Sequence, residues 1–396
     1  MMDPVVATLI VLAIITVGEV VSIATRAKVP TLLVVMIGIF ILFKTGIIPS
    51  NIIEASTFAV VGAVLQPALL VHMGTLIPMK VMKSQYQAVL ITLIGITISV
   101  FLMLLVIPLF FGYGTAVAGA GPLTGGLIAY LVTSEALQEA GLASLVAIPI
   151  IVLTLQGVIG MPLTSLLLRK HSLNLRRSMD AGTYVAAAVA EAKVPESEIV
   201  NAASEKKPLI PKKYMQSSFI LLFLIFIGGA LAVGLENVTG ISYSLFGLVI
   251  GIFGAYIGFY PDKVLERANG FSIAMVGLVF IVVSSLASIT WANIVSVLPA
   301  VATILIVGTI GLVIGGFIGS KLFKWDPTKG ISVVLTAMYG FPADYLISQE
   351  VSRSMGRTKE EEEQILNEIL PPMLIGGFTS VTVGSVIIAS ILVKTL

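Results

Sequence analysis

Residues 87–111, QAVLITLIGITISVFLMLLVIPLFF, carry no charge at any position. A run of that length reads as a bilayer-crossing helix. About 20 apolar residues rising 1.5 Å each span a hydrocarbon core about 30 Å thick. Comparable runs cover roughly 4–25, 31–49, 57–79, 87–111 and 145–168 in the first half, and roughly 216–235, 241–260, 270–290, 293–320 and 369–393 in the second. Such runs suit helices rather than the alternating strands of a barrel. Composition agrees: 57% of the 396 residues are hydrophobic and 11% charged, with mean hydropathy +1.06, where a soluble domain carries about 25% charged residues. The fold class expected is therefore an all-α polytopic membrane protein. The 37 glycines suit close helix packing in lipid. The absence of cysteine removes disulfides and thiolate metal sites. A net charge of +2, with basic residues not clustered among aromatics, gives no sign of a nucleic-acid partner.

One phrase is written twice. YLVTSEALQEAG (130–141) and YLISQEVSRSMG (345–356) share Tyr, Leu, Glu and Gly at positions one, two, six and twelve, and Gly125 aligns with Gly340. The surrounding stretches, 113–143 and 328–358, do not fit simple spans. The N-terminal run lacks a basic n-region and an A-x-A-like cleavage site and reads as a retained span. Arg26 and Lys28 follow it, which places the N-terminus outside by the positive-inside rule. The loop at Lys80 and Lys83 then falls inside. Between the halves, Arg169–Tyr214 holds nine Lys/Arg against five Asp/Glu and belongs inside only if 113–143 dips into the membrane and returns. Lys263 and Arg267, then Lys321, Lys324 and Lys329, fall inside with no further adjustment, and Arg353, Arg357 and Lys359 stay inside if 328–358 returns likewise; Lys44 dissents. Each half then has five spans plus one re-entrant hairpin, and an odd number of crossings orients the halves oppositely. The expected organisation is an N-terminal repeat over 1–168, a cytoplasmic linker over 169–214 and an inverted C-terminal repeat over 215–396. Both termini lie outside, in the cell (inner) membrane. Inverted repeats with matched interruptions mark secondary transporters, with binding near the bilayer midplane.

The chemistry is expected where the hairpins break. GAGPLTGGLIAY (119–130) and TAMYGFPADY (336–345) carry Gly and Pro that free backbone groups. Free carbonyls coordinate Na+, and helix N-termini hold anionic groups. Asp344 is the sharpest single residue, since an intramembrane carboxylate is costly. It suits Na+, a proton or a cationic substrate group, and equally an N-cap. Its symmetric position is Ala129. Glu135 and Glu350 lie ten residues past their aligned glycines, about 15 Å along a helix, which carries them toward the membrane surfaces to line a cavity mouth or snorkel. Thr133, Ser134, Ser348 and Gln349 lie deeper and offer neutral oxygens to an ion. Thr154, Gln156, Thr379, Ser380 and Thr382 can face the breaks across the site. His72 suits a hydrogen-bonded structural role. No Walker motif, HExxH or GxSxG is present, so neither ATP-driven transport nor hydrolysis is supported and no enzyme is expected.

With AGAGPLTGGL and MYGFPADYL in place, the plan resembles the bacterial sodium/glutamate symporter family and the related 2-hydroxycarboxylate transporters, as a divergent member. The topological likeness covers nearly the whole chain; the motif likeness is confined to those two stretches. The resemblance implies that Thr124, Gly125, Gly126, Gly340, Phe341 and Pro342 bind substrate and Na+, and Tyr339 and Asp344 join them as neighbours in the second break. It also implies a homodimer with an elevator-like mechanism. The first break departs from the pattern through Pro122-Leu123-Thr124 before its glycines, and the second through Asp344. The expected function is Na+- or H+-coupled transport of a small organic solute such as an amino acid or carboxylate, with no cofactor beyond the coupling ion and with membrane lipid as its surroundings. The alternatives are a cation/proton antiporter without organic substrate, and a passive channel or membrane scaffold.

Overall fold

The computed structural model describes residues 2–49, 51–76, 85–182, 209–211, 213–241, 243–284 and 291–396. The loop at Lys80 and Lys83 and most of the linker lie outside these residues. The described residues are helical and include no strand. The first half holds α1 (Pro4–Ala24), α2 (Thr31–Lys44), α3 (Ile52–Ser56), α4 (Phe58–Thr75), α5 (Tyr86–Val106), α6 (Pro108–Phe111), α7 (Tyr113–Leu123), α8 (Leu127–Glu139) and α9 (Ala147–Asp180). The second half holds α10 (Ser218–Thr239), α11 (Tyr243–Tyr256), α12 (Val264–Arg267), α13 (Phe271–Ser284), α14 (Trp291–Leu322), α15 (Pro327–Leu335), α16 (Ala343–Met355), α17 (Lys359–Phe378) and α18 (Ser385–Leu392).

Among the described residues, 7 helical stretches are long and apolar enough to cross a membrane, where the sequence suggested ten spans. The other three, α2, α11 and α13, have 14 residues each, about 21 Å of helix. Gly46 (φ +71°) follows α2 and Gly258 (φ +78°) follows α11, each in a left-handed turn that ends the run. The fifth span runs on past residue 168 to Asp180. Its polar tail is rich in Leu, Arg and Lys, all good helix formers, and no glycine interrupts it until Gly182.

Contacts divide the chain into two compact units. One comprises the described residues of Met1–Val11, Asn51–Tyr86 and Thr183–Ser284. Here α4 packs against α10, α11 and α13. Gly62 of α4 meets Gly277 of α13 backbone to backbone, and Gly74 meets Gly251 of α11, so neither pair leaves room for a side chain. His72 is fully buried, and its Nδ1 accepts the backbone N–H of Leu265 at 3.2 Å, tying α4 to α12.

The other unit comprises the described residues of Leu12–Ser50, Gln87–Gly182 and Ser285–Leu396. α14 turns Gly308, Gly311, Gly315 and Gly319 toward α5 and its neighbours, a three-to-four-residue spacing that keeps them on one face. Ser99 Oγ crosses from α5 to donate to the Gly308 carbonyl at 2.8 Å. The start of α15 is fixed by Asp326, whose Oδ1 accepts from the Thr328 N–H (2.8 Å) and hydroxyl (2.6 Å), with Pro327 at the first helical position. Its Oδ2 meets His171 Nδ1 of α9 at 2.9 Å. Burial works to raise the Asp326 pKa, but the hydrogen bonds from His171 and Thr328 outweigh it and hold the carboxyl below its ordinary range. Asp326→Ala is expected to cost about 1 kcal/mol through the lost cap, read as a lower unfolding temperature in detergent at pH 7. Because the native pKa is depressed, this contribution is complete above about pH 4 and fades as pH falls through the lowered value. The gap between variant and native protein should therefore narrow in acid.

Candidate functional site

Both segments carrying the repeated phrase consist of two short helices around a break, and both lie in the second unit. In the first, α7 ends at Leu123 and the Thr124 hydroxyl donates back to the Gly121 carbonyl at 2.8 Å and the Ala120 carbonyl at 3.2 Å. Gly125 (φ +115°) and Gly126 (φ +91°) then turn the chain into α8, whose N-terminus has no side-chain cap. In the second, α15 tightens into a 3-10 turn over Thr336–Met338. Gly340 (φ +58°) reverses the chain, with its N–H on the Thr336 carbonyl at 2.7 Å, and the cis Phe341–Pro342 bond leads into α16. Phe341 stacks on Phe378 of α17, with ring centroids 6.2 Å apart.

The two breaks converge on Val381. A Cβ placed on Gly125 would fall 3.0 Å from the Val381 side chain and 3.0 Å from the Ala337 carbonyl; one on Gly340 would fall 2.9 Å from Val381. Gly126 lies so close to the Val381 carbonyl that no methyl fits. Val381 belongs to a π-helical turn, Thr379–Gly384, between α17 and α18. Such wide turns recur at functional sites because they loosen the i→i−4 ladder and free carbonyls. The stretch GGFTSVTVG thus meets the breaks, and the contact is made by Val381, which sequence reasoning passed over for its hydroxyl-bearing neighbours. Its only signal was the β-branched run in an otherwise glycine-rich helix.

Asp344 sits in the first turn of α16 and is fully buried. Its Oδ1 accepts the Tyr345 N–H at 2.7 Å. Its Oδ2 is buried without a hydrogen-bond partner among the described residues and lies against Gly377, where a Cβ would come within 2.5 Å. Tyr339 packs its ring on Gly160 of α9; its hydroxyl and that of Thr164 approach each other without reaching hydrogen-bond geometry. Both hydroxyls, and the Gln156 Oε1, are buried and unpartnered among the described residues. A lone buried carboxylate oxygen beside a broken helix can receive a cation, a proton or an ammonium group. Among the described residues no three His, Cys, Asp or Glu gather as a metal cluster would require.

The remaining sequence-chosen residues take other places. The Ser348 hydroxyl donates to the Asp344 carbonyl at 2.7 Å, and the Gln349 amide to the Tyr345 hydroxyl at 2.5 Å. Thr133 is buried with its Oγ1 against Gly121 of α7, and Ser134 is buried beside it. Glu135 is exposed. Glu350 neither lines a mouth nor snorkels: it is 5% exposed and accepts from the Ser22 hydroxyl at 2.6 Å and the Thr31 N–H at 3.2 Å. Those partners stand more than 300 residues earlier in the chain, which is why spacing alone did not find them. No family model and no curated protein matches the chain.

Proposed function

We propose that this protein is a Na+- or H+-coupled secondary active transporter of a small organic solute, such as an amino acid or carboxylate. The observation that carries the reading is the convergence of two glycine breaks on one π-helical turn beside a buried carboxylate with an unpartnered oxygen. In this reading the breaks are the tips of two re-entrant hairpins, and Asp344 carries the coupling ion. The element order supports an inverted repeat. α1 and α2 are matched by α10 and α11, the short α3 before α4 by the short α12 before α13, and α5 by α14. The broken pair α7–α8 is matched by α15–α16, and α9 by the α17–α18 stretch. In this reading each half crosses five times, α2, α11 and α13 among the crossings, with the linker in the cytoplasm at a bacterial-type inner membrane and both termini outside. A homodimer follows from the sequence resemblance alone.

The test is uptake into proteoliposomes holding the purified protein. Labelled amino acids and carboxylates should accumulate against a gradient when an inward Na+ or H+ gradient is imposed, and only then. Equal downhill flux with and without the ion gradient would refute coupling. A second reading, a cation/proton antiporter without organic substrate, draws on the same buried Asp344 beside the second break. Proton release on adding Na+, with no organic ligand competing, would favour it.

A further inference from the structure

We propose that Glu350 and Arg353 form a latch that holds α16, the arm bearing Asp344, against the α1–α2 turn, and that this latch must open for the site to become accessible. The inference rests on the transport reading given above. The turn is unusual: Arg26 and Ala27 both take left-handed backbone (φ +54° and +56°), and Ser165 of α9 donates to the Ala27 carbonyl. Thr31, the first residue of α2, stands at its centre. Its N–H meets both Glu350 oxygens at 3.2 Å, while its hydroxyl donates to Glu19 Oε2 at 2.9 Å. The Ser22 hydroxyl completes the grip on Glu350 at 2.6 Å. Glu19 in turn takes Arg353 at 2.8 Å. Two adjacent turns of α16 are thus bound to two helices near the other end of the sequence.

The grip is asymmetric along its length. Glu350 is buried, whereas Glu19 and Arg353 are 39% and 45% exposed, so the outer pair is screened and readily broken. The inner carboxylate relies on neutral donors, which water can replace once the outer pair parts. Glu350 lies six residues after Asp344 on one continuous helix, about 9 Å along its axis, so displacement of the site arm strains the latch directly. Glu135, the same position in the first copy of the phrase, is exposed. Of the two repeated glutamates, one is thus held and buried and the other exposed.

The chain has no cysteine, so introduced thiols report cleanly. Ser352 is buried on α16. In Ser352→Cys protein, adding Glu350→Gln should raise the rate of labelling by a charged methanethiosulfonate by about tenfold, the effect of one lost charge-assisted hydrogen bond. An unchanged labelling rate, with or without a lower unfolding temperature, would assign Glu350 a merely structural role and overturn the proposal. Separately, Ser22→Cys/Glu350→Cys bridged by a short bifunctional methanethiosulfonate should lose gradient-driven uptake and regain it on reduction; uptake unaffected by the bridge would overturn it. Absence of uptake by the native protein would refute the transport reading instead, and the labelling arm would still decide the latch.

Discussion

Asp344→Asn is expected to lower gradient-driven uptake by about ten- to a hundredfold and to leave the fold intact. The substitution keeps size and shape. The asparagine oxygen can still accept the Tyr345 N–H that Oδ1 now takes. What disappears is the ionisable oxygen against Gly377, which has no partner among the described residues. A charge-assisted contact is worth about 1.5–3 kcal/mol, and that sets the size of the loss. A neutral amide cannot exchange a proton or balance a sodium ion, so the residual flux should no longer respond to either gradient. Removing a carboxylate from low dielectric also relieves a desolvation cost, so the unfolding temperature should hold or rise. Initial rates in proteoliposomes, with melting followed by size-exclusion chromatography, check both halves. Uptake that still follows the gradient at the native rate would remove Asp344 from coupling.

Gly126→Ala should be the most damaging single methyl in the site, and Gly141→Ala supplies its control. Both glycines have positive φ, +91° and +73°, so an alanine is strained at either position by about 1–2 kcal/mol. Nothing lies within 4 Å of a Cβ at Gly141, whereas one at Gly126 runs into the Val381 carbonyl. Gly126 also pairs its φ with ψ 141°, close to a region populated almost only by glycine. Overpacking adds about 1–3 kcal/mol. Thermal unfolding should therefore show a loss two to three times larger for Gly126→Ala, and only that variant should lose uptake. Equal losses would mean that the approach to Val381 carries no weight.

Much of this was legible in the sequence, for identifiable reasons. Long continuous uncharged runs dictate helices in lipid because a helix satisfies every backbone group within its own segment, whereas barrel strands would alternate. Gly125, Gly126 and Gly340 announced the breaks because glycine is what a left-handed turn demands. Asp344 stood out because few carboxylates lie near apolar segments in this chain. Other features depend on tertiary neighbours. The π-helical turn over Thr379–Gly384 has no simple signature among its residue types, all of which an α-helix also accepts. The fate of Glu350 is settled by Ser22 and Thr31, and that of Tyr339 by Gly160. Hence the two repeated glutamates looked alike in the sequence and are unlike in the fold.

The π-helical turn also sets a phase. An i→i+5 turn takes in about one extra residue, which rotates everything after it by about 100° relative to an uninterrupted α-helix. Before the turn, Gly376 and Gly377 face Val333, Thr336 and Asp344; after it, Ser385 and Ala389 face Gly126 and Gly121. One helix thus presents two differently clocked surfaces, each fitted to one break. Deleting a single residue between 379 and 384 would restore a regular ladder while turning one surface away from its partner. The wide turn acts as a spacer measured in degrees rather than ångströms, setting which face of the helix each break meets.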